Sequence, residues 1–256
     1  MWQKDLGKNN KTNTSWQKVA PWYQKIVGDS GHFYHREVIL PNVLRLLNLK
    51  PGEKLIDLGC GQGVLARTIS SDIEYAGFDV SPEMIKTAIS LDKNLKHRYT
   101  TIDVTHTILN QRADKIAIIL ALQNMKKPFV VIRNCREMLN LHGKLVIVLN
   151  HLAFRIPKHG DWTVKNDRQY RIVDNYMTPL EIPIESSPFD KKNNELSYSY
   201  HYPLSFYSEV LFDNGFVIEK IEEWVSPKKS TGSKAEIEDK GRAEIPLFMA
   251  IVASIR

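Results

Sequence analysis

Short apolar strands that alternate with turns and helices are the feature of this sequence that most constrains its fold. Five such strands are predicted, at residues 54–58, 74–80, 98–104, 115–122 and 144–149. Strands joined by helical crossovers run parallel, and an apolar run such as the fourth strand is typical of a strand that helices cover on both faces. The alternation therefore predicts an α/β fold with a doubly wound, mostly parallel sheet.

The remaining segments divide the chain into three regions. Residues 16–49 have helical periodicity, so residues 1–50 are predicted to form a tail and a helical cap. Residues 151–203 break the alternation with proline-interrupted pieces and predict a partly antiparallel insertion on the substrate side. The core is then expected to comprise residues 51–150 and 204–256.

Several element boundaries can be predicted within the core. Helices are expected at residues 64–71 and 129–141. Strands at residues 216–224 and 247–255 bring the sheet to seven strands, and they are expected to pair antiparallel at its edge. The segment between them, residues 226–244, is polar and lacks apolar periodicity, so it is predicted to be a mobile loop.

Composition narrows the class of protein. Hydrophobic residues make up 43% and charged residues 25% of the chain, as in ordinary globular proteins. The two cysteines, Cys60 and Cys135, offer neither a disulfide framework nor a metal-ligand spacing, so no metal is predicted. No apolar run is long enough to span a membrane, and the polar start does not resemble a secretory signal. A cytoplasmic location is therefore expected.

Net charge raises the question of an anionic partner. The formal charge is +6 and the isoelectric point about 9.1. The lysines are dispersed along the chain, however, and small groups of them are usually solvated surface. Nucleic acid therefore stays an open alternative as a partner, but it is not favoured.

The most informative segment is Asp-Leu-Gly-Cys-Gly-Gln-Gly at residues 57–63, directly after a predicted strand. Glycines in this position let the chain turn sharply and bring backbone amides close to a ligand. The carboxylate of Asp57 can accept a hydrogen bond from a ligand ammonium group, or it can hold the loop. A tight turn without a ligand is the alternative interpretation.

Two further carboxylates end the next two predicted strands. Asp79 is placed where an acidic residue accepts hydrogen bonds from both ribose hydroxyls of a nucleoside, although it could instead cap the following helix. Asp103 ends the third strand, where a carboxylate can accept from an exocyclic amine such as adenine N6. A capping arrangement with Thr105 is the alternative for Asp103.

The glycine loop together with Asp79 and Asp103 resembles the signature of class I S-adenosylmethionine-dependent methyltransferases. Residues 120–124, Leu-Ala-Leu-Gln-Asn, resemble the end of the fourth strand in the ubiquinone/menaquinone-methyltransferase branch. Nicotinamide dehydrogenases share part of the pattern, but here Val64 and Leu65 follow Gly63 where those enzymes usually have a further glycine. The chain also lacks the N-P-P-Y and Pro-Cys motifs of two specialised branches.

The resemblance implies a Rossmann-like fold, S-adenosylmethionine as cofactor and S-adenosylhomocysteine as product. The glycine loop would surround the methionine moiety, the second strand end the ribose and the third strand end the adenine. The implied cofactor site comprises Tyr34, Asp57, Gly59, Cys60, Gly61, Gly63, Asp79, Val80, Asp103, Val104, Leu120 and Ala121. Buried cysteine without a chemical role is the alternative for Cys60.

A general base is required only if the methyl acceptor must lose a proton, as a hydroxyl does. Histidines are the candidates. His151 follows the fifth strand, where ligands of open α/β sheets bind, and His35 lies in the aromatic N-terminal segment that can fold over the cofactor. His32 and His201 are further candidates, and a structural role is the alternative for each histidine. Tyr23 and Tyr34 are also expected near the methionine end.

The insertion is rich in aromatic residues, which suits a flat organic acceptor or the insertion's own core. Arg155, Arg168 and Arg171 could hold an acidic group of that acceptor or face solvent. The leading hypothesis is a methyltransferase that modifies O, N or C of a small organic molecule. The alternatives are an RNA or protein methyltransferase, and a non-catalytic protein that binds the cofactor. The oligomeric state is not predicted.

Overall fold

The computed structural model describes residue 28 and residues 31–107, 110–185 and 196–256. The helical prediction for residues 16–27 lies outside the described residues, as do the expected positions of Tyr23 and of the insertion residue Phe189.

Seven strands of the described chain form one sheet, and four further strands form two hairpins. The strands are β1 (Lys54–Leu58), β2 (Glu74–Asp79), β3 (Arg98–Thr101), β4 (Ala113–Ile119), β5 (Leu139–Asn150), β6 (Gly160–Lys165), β7 (Arg168–Val173), β8 (Leu180–Glu185), β9 (Leu196–His201), β10 (Phe216–Trp224) and β11 (Phe248–Ile255). The sheet order is β10-β11-β5-β4-β1-β2-β3, with β1 to β5 paired in parallel. The predicted mostly parallel, seven-stranded sheet is confirmed, with β11 antiparallel to both β5 and β10.

Helices cover both faces of this sheet. They are α1 (Leu40–Leu47), α2 (Pro82–Leu91), α3 (Pro128–Met138) and α4 (Leu204–Asp213), and a π-helical turn (His35–Ile39) leads into α1. A fifth helix, α5 (Ala235–Glu244), packs against the hairpin strand β7. Successive residues of β1 face opposite sides. Ile56 joins a buried cluster with residues of α3 and α4, and Leu55 joins one with residues of α1. This division confirms the doubly wound arrangement. None of the helices in the described ranges is long and apolar enough to cross a bilayer.

The segment between β5 and α4 contains two antiparallel hairpins, β6–β7 and β8–β9. The partly antiparallel insertion predicted after the fifth strand is therefore confirmed. A salt bridge of 3.4 Å between Lys126 and Glu181 links the second hairpin to the segment after β4.

Two helix predictions in the core are wrong in extent. Residues 64–71 were predicted to be a helix, but they form turns and one short 3₁₀ helix (Ala66–Thr68), because the short chain between Gly63 and β2 already buries Leu65 without a longer helix. The helix predicted at residues 129–141 ends at Met138. Leu139 instead pairs with Ala113, so β5 begins five residues before the predicted strand at 144–149.

The prediction of a mobile loop at residues 226–244 is also wrong, because α5 occupies its second half. This helix buries little apolar surface, which is why no apolar periodicity is visible. Pairs one turn apart stabilise it instead, with Lys240 bonded to Glu236 at 2.7 Å and Arg242 to Glu238 at 3.1 Å. Two strands of the sheet end earlier than predicted. Strand β3 ends at Thr101 instead of residue 104, and β4 ends at Ile119 instead of residue 122.

Candidate cofactor site

A crevice opens at the carboxyl ends of β1 and β4, where the chain connections diverge to the two sides of the sheet. Ligands of open α/β sheets bind at such a switch point. The crevice is partly open to solvent. Its lining residues are His35, Leu40, Asp57, Gly59, Cys60, Gly61, Gln62, Val64, Leu65 and Ile119.

Three glycines shape the loop after β1. Gly59, Gly61 and Gly63 have φ angles of +74°, +55° and +73°, a region that residues with a Cβ rarely adopt. The loop packs tightly at Gly59, where a Cβ would lie 2.4 Å from that of Ala121. A Cβ on Gly61 would meet nothing within 4 Å. The open side of the loop at Gly61 therefore faces the crevice and allows a ligand close approach.

The amides of the loop are tied to the end of β2. Gly59 and Cys60 both donate to the carbonyl of Phe78, at 2.7 and 3.0 Å, and Gly61 donates to a carboxylate oxygen of Asp79 at 2.9 Å. These amides are therefore engaged within the protein, whereas the sequence led us to expect amides directed at a ligand. The acceptors at the end of β2 are distant in sequence, so only the folded chain shows this.

Asp57 lies at the base of the crevice with 2% of its surface exposed. It accepts a hydrogen bond of 2.9 Å from the hydroxyl of Tyr75. Burial raises the pKa of Asp57 to about 7, the Tyr75 hydrogen bond lowers it, and the nearby charge of Asp79 raises it further. Asp57 therefore changes charge near neutral pH, and a cation in the crevice would favour its ionised form.

Asp79 ends β2 beside the partly buried Val80 and bridges two backbone segments. Its Oδ2 accepts from Gly61 in the glycine loop, and its Oδ1 accepts from Ser81 at 2.9 Å, at the start of α2. Burial raises the pKa of Asp79, and these amide hydrogen bonds lower it. Ser81 caps α2, because its Oγ accepts from the amide of Met84 at 3.3 Å, so the capping role considered for Asp79 is not observed. Each carboxylate oxygen of Asp79 can still accept a further hydrogen bond.

Asp103 lies two residues beyond β3 and closes a local turn. One carboxylate oxygen accepts from the amide and hydroxyl of Thr105, and the other contacts His106 Nδ1 at 2.8 Å. These hydrogen bonds lower the pKa of Asp103 although partial burial raises it. The neighbouring Val104 is buried, and its carbonyl accepts from Asn134 at 3.0 Å. Neither Asp103 nor Val104 lines the crevice.

Leu120 and Ala121 follow β4 and approach the glycine loop from the other side. Leu120 has a left-handed φ of +52°, and its amide donates to the carbonyl of Val148 at 2.8 Å. The Ala121 side chain lies against Gly59. This contact brings the end of β4 together with the end of β1.

Two buried polar atoms beside the crevice have no hydrogen-bond partner among the described residues. They are Nδ1 of His35 and Oε1 of Gln62, whose side chains are 7% and 1% exposed. The Gln62 amide nitrogen donates to the carbonyl of Gly28 at 2.7 Å. Unpaired buried polar atoms are costly, so these two are suited to a polar ligand. Gln62 was not predicted as a site residue, because the glycine pattern does not specify the residue between Gly61 and Gly63.

Comparison with known proteins identifies this part of the chain. Residues 56–145, from β1 to β5, match the family model described as "Methyltransferase domain". In this stretch the chain therefore resembles a methyltransferase domain. Its fold is shared with a solved S-adenosylmethionine-dependent methyltransferase from Mesorhizobium loti, at 23% identity and a TM-score of 0.67 over 83% of this chain and 95% of the other.

Curated relatives match only part of this chain. An uncharacterized methyltransferase of Schizosaccharomyces pombe is 41% identical over 54 residues, which are 21% of each chain. A demethylmenaquinone methyltransferase of Thermotoga maritima is 30% identical over 108 residues, 40% of this chain and 45% of that protein. The chain spans less than half the length of the curated relatives it matches.

The candidate histidines differ in what contacts their ring nitrogens. His151 Nε2 contacts Glu223 at 2.6 Å, and its Nδ1 accepts from the amides of Ala153 and Phe154, both at 3.2 Å. His201 Nε2 donates to a backbone carbonyl at 2.7 Å. Neither lines the crevice, whereas His35 does. Of the two predicted catalytic histidines, His35 therefore lies at the crevice and His151 does not.

The aromatic residues predicted to line an acceptor cap are dispersed. Tyr200 and Tyr202 belong to the buried cluster that contains Ile56. Tyr170 and Tyr198 are exposed. Tyr34 lies beside the crevice residue His35, and its hydroxyl lies 3.2 Å from Ser226 Oγ. Among the residues that the structure describes, no group of three or more His, Cys, Asp or Glu side chains is arranged to hold a metal.

Proposed function

We propose that this chain is an S-adenosylmethionine-dependent methyltransferase that transfers a methyl group to a small organic acceptor. One observation carries the proposal. The buried carboxylate of Asp57, and the polar atoms of His35 and Gln62 that lack a partner in the described ranges, adjoin one crevice beside a glycine loop at the switch point of the sheet, and residues 56–145 resemble a methyltransferase domain.

The residues present fit such a cofactor. Asp57 would accept from the ammonium group of the methionine moiety, Gly61 would allow its close approach, and Asp79 would accept from the ribose hydroxyls. Bound S-adenosylmethionine supplies a methyl group already activated by its sulfonium. The chain's own part is to align that group with the acceptor and to exclude water.

A base is proposed only for an acceptor that must lose a proton. His35 suits this role better than His151, because Nδ1 of His35 has no partner among the described residues and both nitrogens of His151 are engaged. Burial and the neighbouring His32 lower the pKa of His35 to about 4, so the ring is neutral at pH 7. The same surroundings make it a weak base, which a negatively charged acceptor beside the ring would strengthen.

We propose that the methyl acceptor is a small molecule. More specifically, we propose an acceptor with a quinone-like ring. The match to a demethylmenaquinone methyltransferase supports the ring. An RNA or protein acceptor, or binding of the cofactor without catalysis, stays the alternative. Fractionated cell extract supplied with radiolabelled S-adenosylmethionine would distinguish these by the fraction that becomes labelled. The unpaired, buried Cys60 and Cys135 accord with the proposed cytoplasmic location.

We expect Asp79→Ala to weaken the binding of S-adenosylhomocysteine by about 1–3 kcal/mol, the scale for losing a hydrogen-bonded charged acceptor. The substitution removes the proposed ribose contact and the acceptor of the Gly61 amide. Titration calorimetry measures the effect. Asp114→Ala is the matched control, because Asp114 also accepts a backbone amide, from Lys54 at 2.9 Å, but at the opposite end of the sheet. Equal affinities of both variants would refute the ribose assignment.

A further inference from the structure

Three cationic side chains gather beside the crevice, and we name Arg155, Arg171 and Lys228 the cationic cluster. Arg155 lies over the ring of Phe248, 5.8 Å from its centroid. The Lys228 ammonium lies 4.9 Å from the ring centroid of Tyr34, and the rings of Tyr34 and Phe248 are 5.6 Å apart. These contacts connect Arg155 to Lys228 through two aromatic rings.

The cationic cluster lies at the same edge of the sheet as the crevice. Phe248 pairs with Asn150 at the carboxyl end of β5, next to β4. Lys228 is also close enough for its positive charge to lower the pKa of His32, after the larger effect of burial. The ring of His32 lies 4.1 Å from that of His35, which lines the crevice. A molecule at the cluster would therefore reach the side of the crevice at His35.

Two of the three charges in the cluster have no counterion in the part of the chain that the structure describes, whereas Asp161 lies near Arg171. Neither Arg155 nor Lys228 forms an ion pair with any residue in the described ranges, and both contact aromatic rings instead. The next residue along the chain, Lys229, does pair with Asp239, at 3.7 Å. The absence of an ion pair therefore distinguishes Lys228 from the adjacent Lys229.

Arg155 and Arg171 are also close to each other. Arg155 keeps exposed surface, yet enough protein surrounds its guanidinium that desolvation lowers its pKa, and the positive charge of Arg171 lowers it further. Arg171 is oriented by a hydrogen bond of 2.8 Å from its Nε to the carbonyl of Phe154. The two arginines repel each other, although Asp161 lies close enough to Arg171 to raise its pKa against the larger, lowering effect of burial. A bound anion would offset the repulsion that remains.

We propose that the cationic cluster binds the acceptor, and that this acceptor is a planar aromatic carboxylate. The guanidinium of Arg155 and the ammonium of Lys228 would pair with the carboxylate, and the rings of Tyr34 and Phe248 would contact the flat part of the molecule. The inference rests on the proposed methyltransferase function, because it concerns the second substrate of the same site.

Paired probes test this proposal by calorimetry. Benzoate, phenylacetate and indole-3-acetate are each compared with the corresponding neutral amide, on the protein alone and on the protein saturated with S-adenosylhomocysteine. We expect at least one acid to bind about tenfold more tightly than its amide, the scale for a hydrogen bond to a charged group. Equal binding of every acid and its amide, or binding of none of the acids, would overturn the proposal.

Variants locate the effect. Arg155→Gln and Lys228→Gln are each expected to remove most of the preference for the acid. Arg168→Gln is the matched control, because Arg168 is an exposed arginine of the same hairpin as Arg171 with no contact to the cluster. Thermal melting verifies that all three variants fold. A preference that survives both Arg155→Gln and Lys228→Gln would place the anion elsewhere and overturn the assignment.

Two further results separate this proposal from its alternatives. If S-adenosylhomocysteine fails to bind while the acids keep their preference in wild-type protein and lose it in the cluster variants, the anion site is supported and the methyltransferase function fails. If oligouridylate binds more tightly than every acid and depends on Arg155 and Lys228, the cluster is an RNA site and the small-molecule assignment is overturned.

Discussion

Asp57→Asn is expected to reduce the affinity for S-adenosylhomocysteine at pH 8 by about 100-fold while making the ligand-free protein more stable. The carboxylate is almost fully buried, and its pKa is raised to about 7. Ionised Asp57 would pair with the ligand ammonium group, which asparagine cannot do. In the ligand-free protein, asparagine keeps an oxygen that can accept from Tyr75 and avoids the cost of a buried charge.

The stability effect depends on pH with a definite sign. Between the ordinary pKa of 3.8 and the folded value of about 7, the folded state holds a proton that the unfolded state has lost. The contribution of Asp57 to stability therefore falls as pH rises through this window and levels off above it, by at most about 4 kcal/mol. Asp57→Asn should lack this fall. Urea unfolding from pH 4 to pH 8 measures it.

The binding effect has the opposite dependence on pH. In the wild type, affinity for S-adenosylhomocysteine should rise as pH increases towards 7, by up to about tenfold per unit, because less free energy is then needed to ionise Asp57. Asp57→Asn should remove this rise. The exposed Asp72, replaced in Asp72→Asn, is the control for general charge effects. A wild type whose affinity and stability share the pH profiles of Asp57→Asn would contradict the assignment.

Gly59→Ala is expected to destabilise the protein by about 3 kcal/mol or more and to abolish cofactor binding. The new Cβ would lie 2.4 Å from the Cβ of Ala121 and 3.2 Å from the Met125 methyl group, at a φ of +74°. Relief requires the glycine loop to move away from the end of β4. That movement would also disturb the hydrogen bond of the loop to Phe78.

Substitutions at two other glycines show how much of the destabilisation comes from the steric clash with Ala121 and how much from the positive φ angle. Gly52→Ala introduces a Cβ at a φ of +83° with nothing within 4 Å, so it should cost only about 1 kcal/mol. Gly61→Ala should cost a similar amount in unfolding free energy, but it should weaken cofactor binding because Gly61 lines the crevice. Denaturant unfolding and calorimetry give both quantities. Equal destabilisation by Gly59→Ala and Gly52→Ala would show that the loop does not pack as described.

The sheet could be predicted because its strands are short, apolar and bounded by turns. The prediction of β10 matched the observed strand, since both its ends coincide with changes in hydropathy. Helix α5 was missed for the opposite reason. Its stability comes from pairs such as Lys240 with Glu236, which leave no apolar pattern in the sequence.

The site could be predicted only in part. The position of Asp57 and of the glycines follows from a local pattern, because the strand and the turn are adjacent in sequence. Other parts of the site depend on contacts between segments that are distant in sequence. Asp79 accepts a hydrogen bond from Gly61, and Gln62 and His35 line the same crevice. The uncompensated charge at Arg155 and Lys228 likewise becomes visible only when their neighbours are known.

The π-helical turn His35–Ile39 has a consequence for how the N-terminal segment can vary. A π turn contains one residue more than an α turn, and each residue of an α-helix turns the chain by about 100°. Loss of one residue within this turn would convert it into an α turn, and the residues on either side would keep nearly the same directions because the extra residue is confined to the bulge. The segment before α1 should therefore tolerate the loss of one residue from this turn more easily than a deletion in the regular helix that follows.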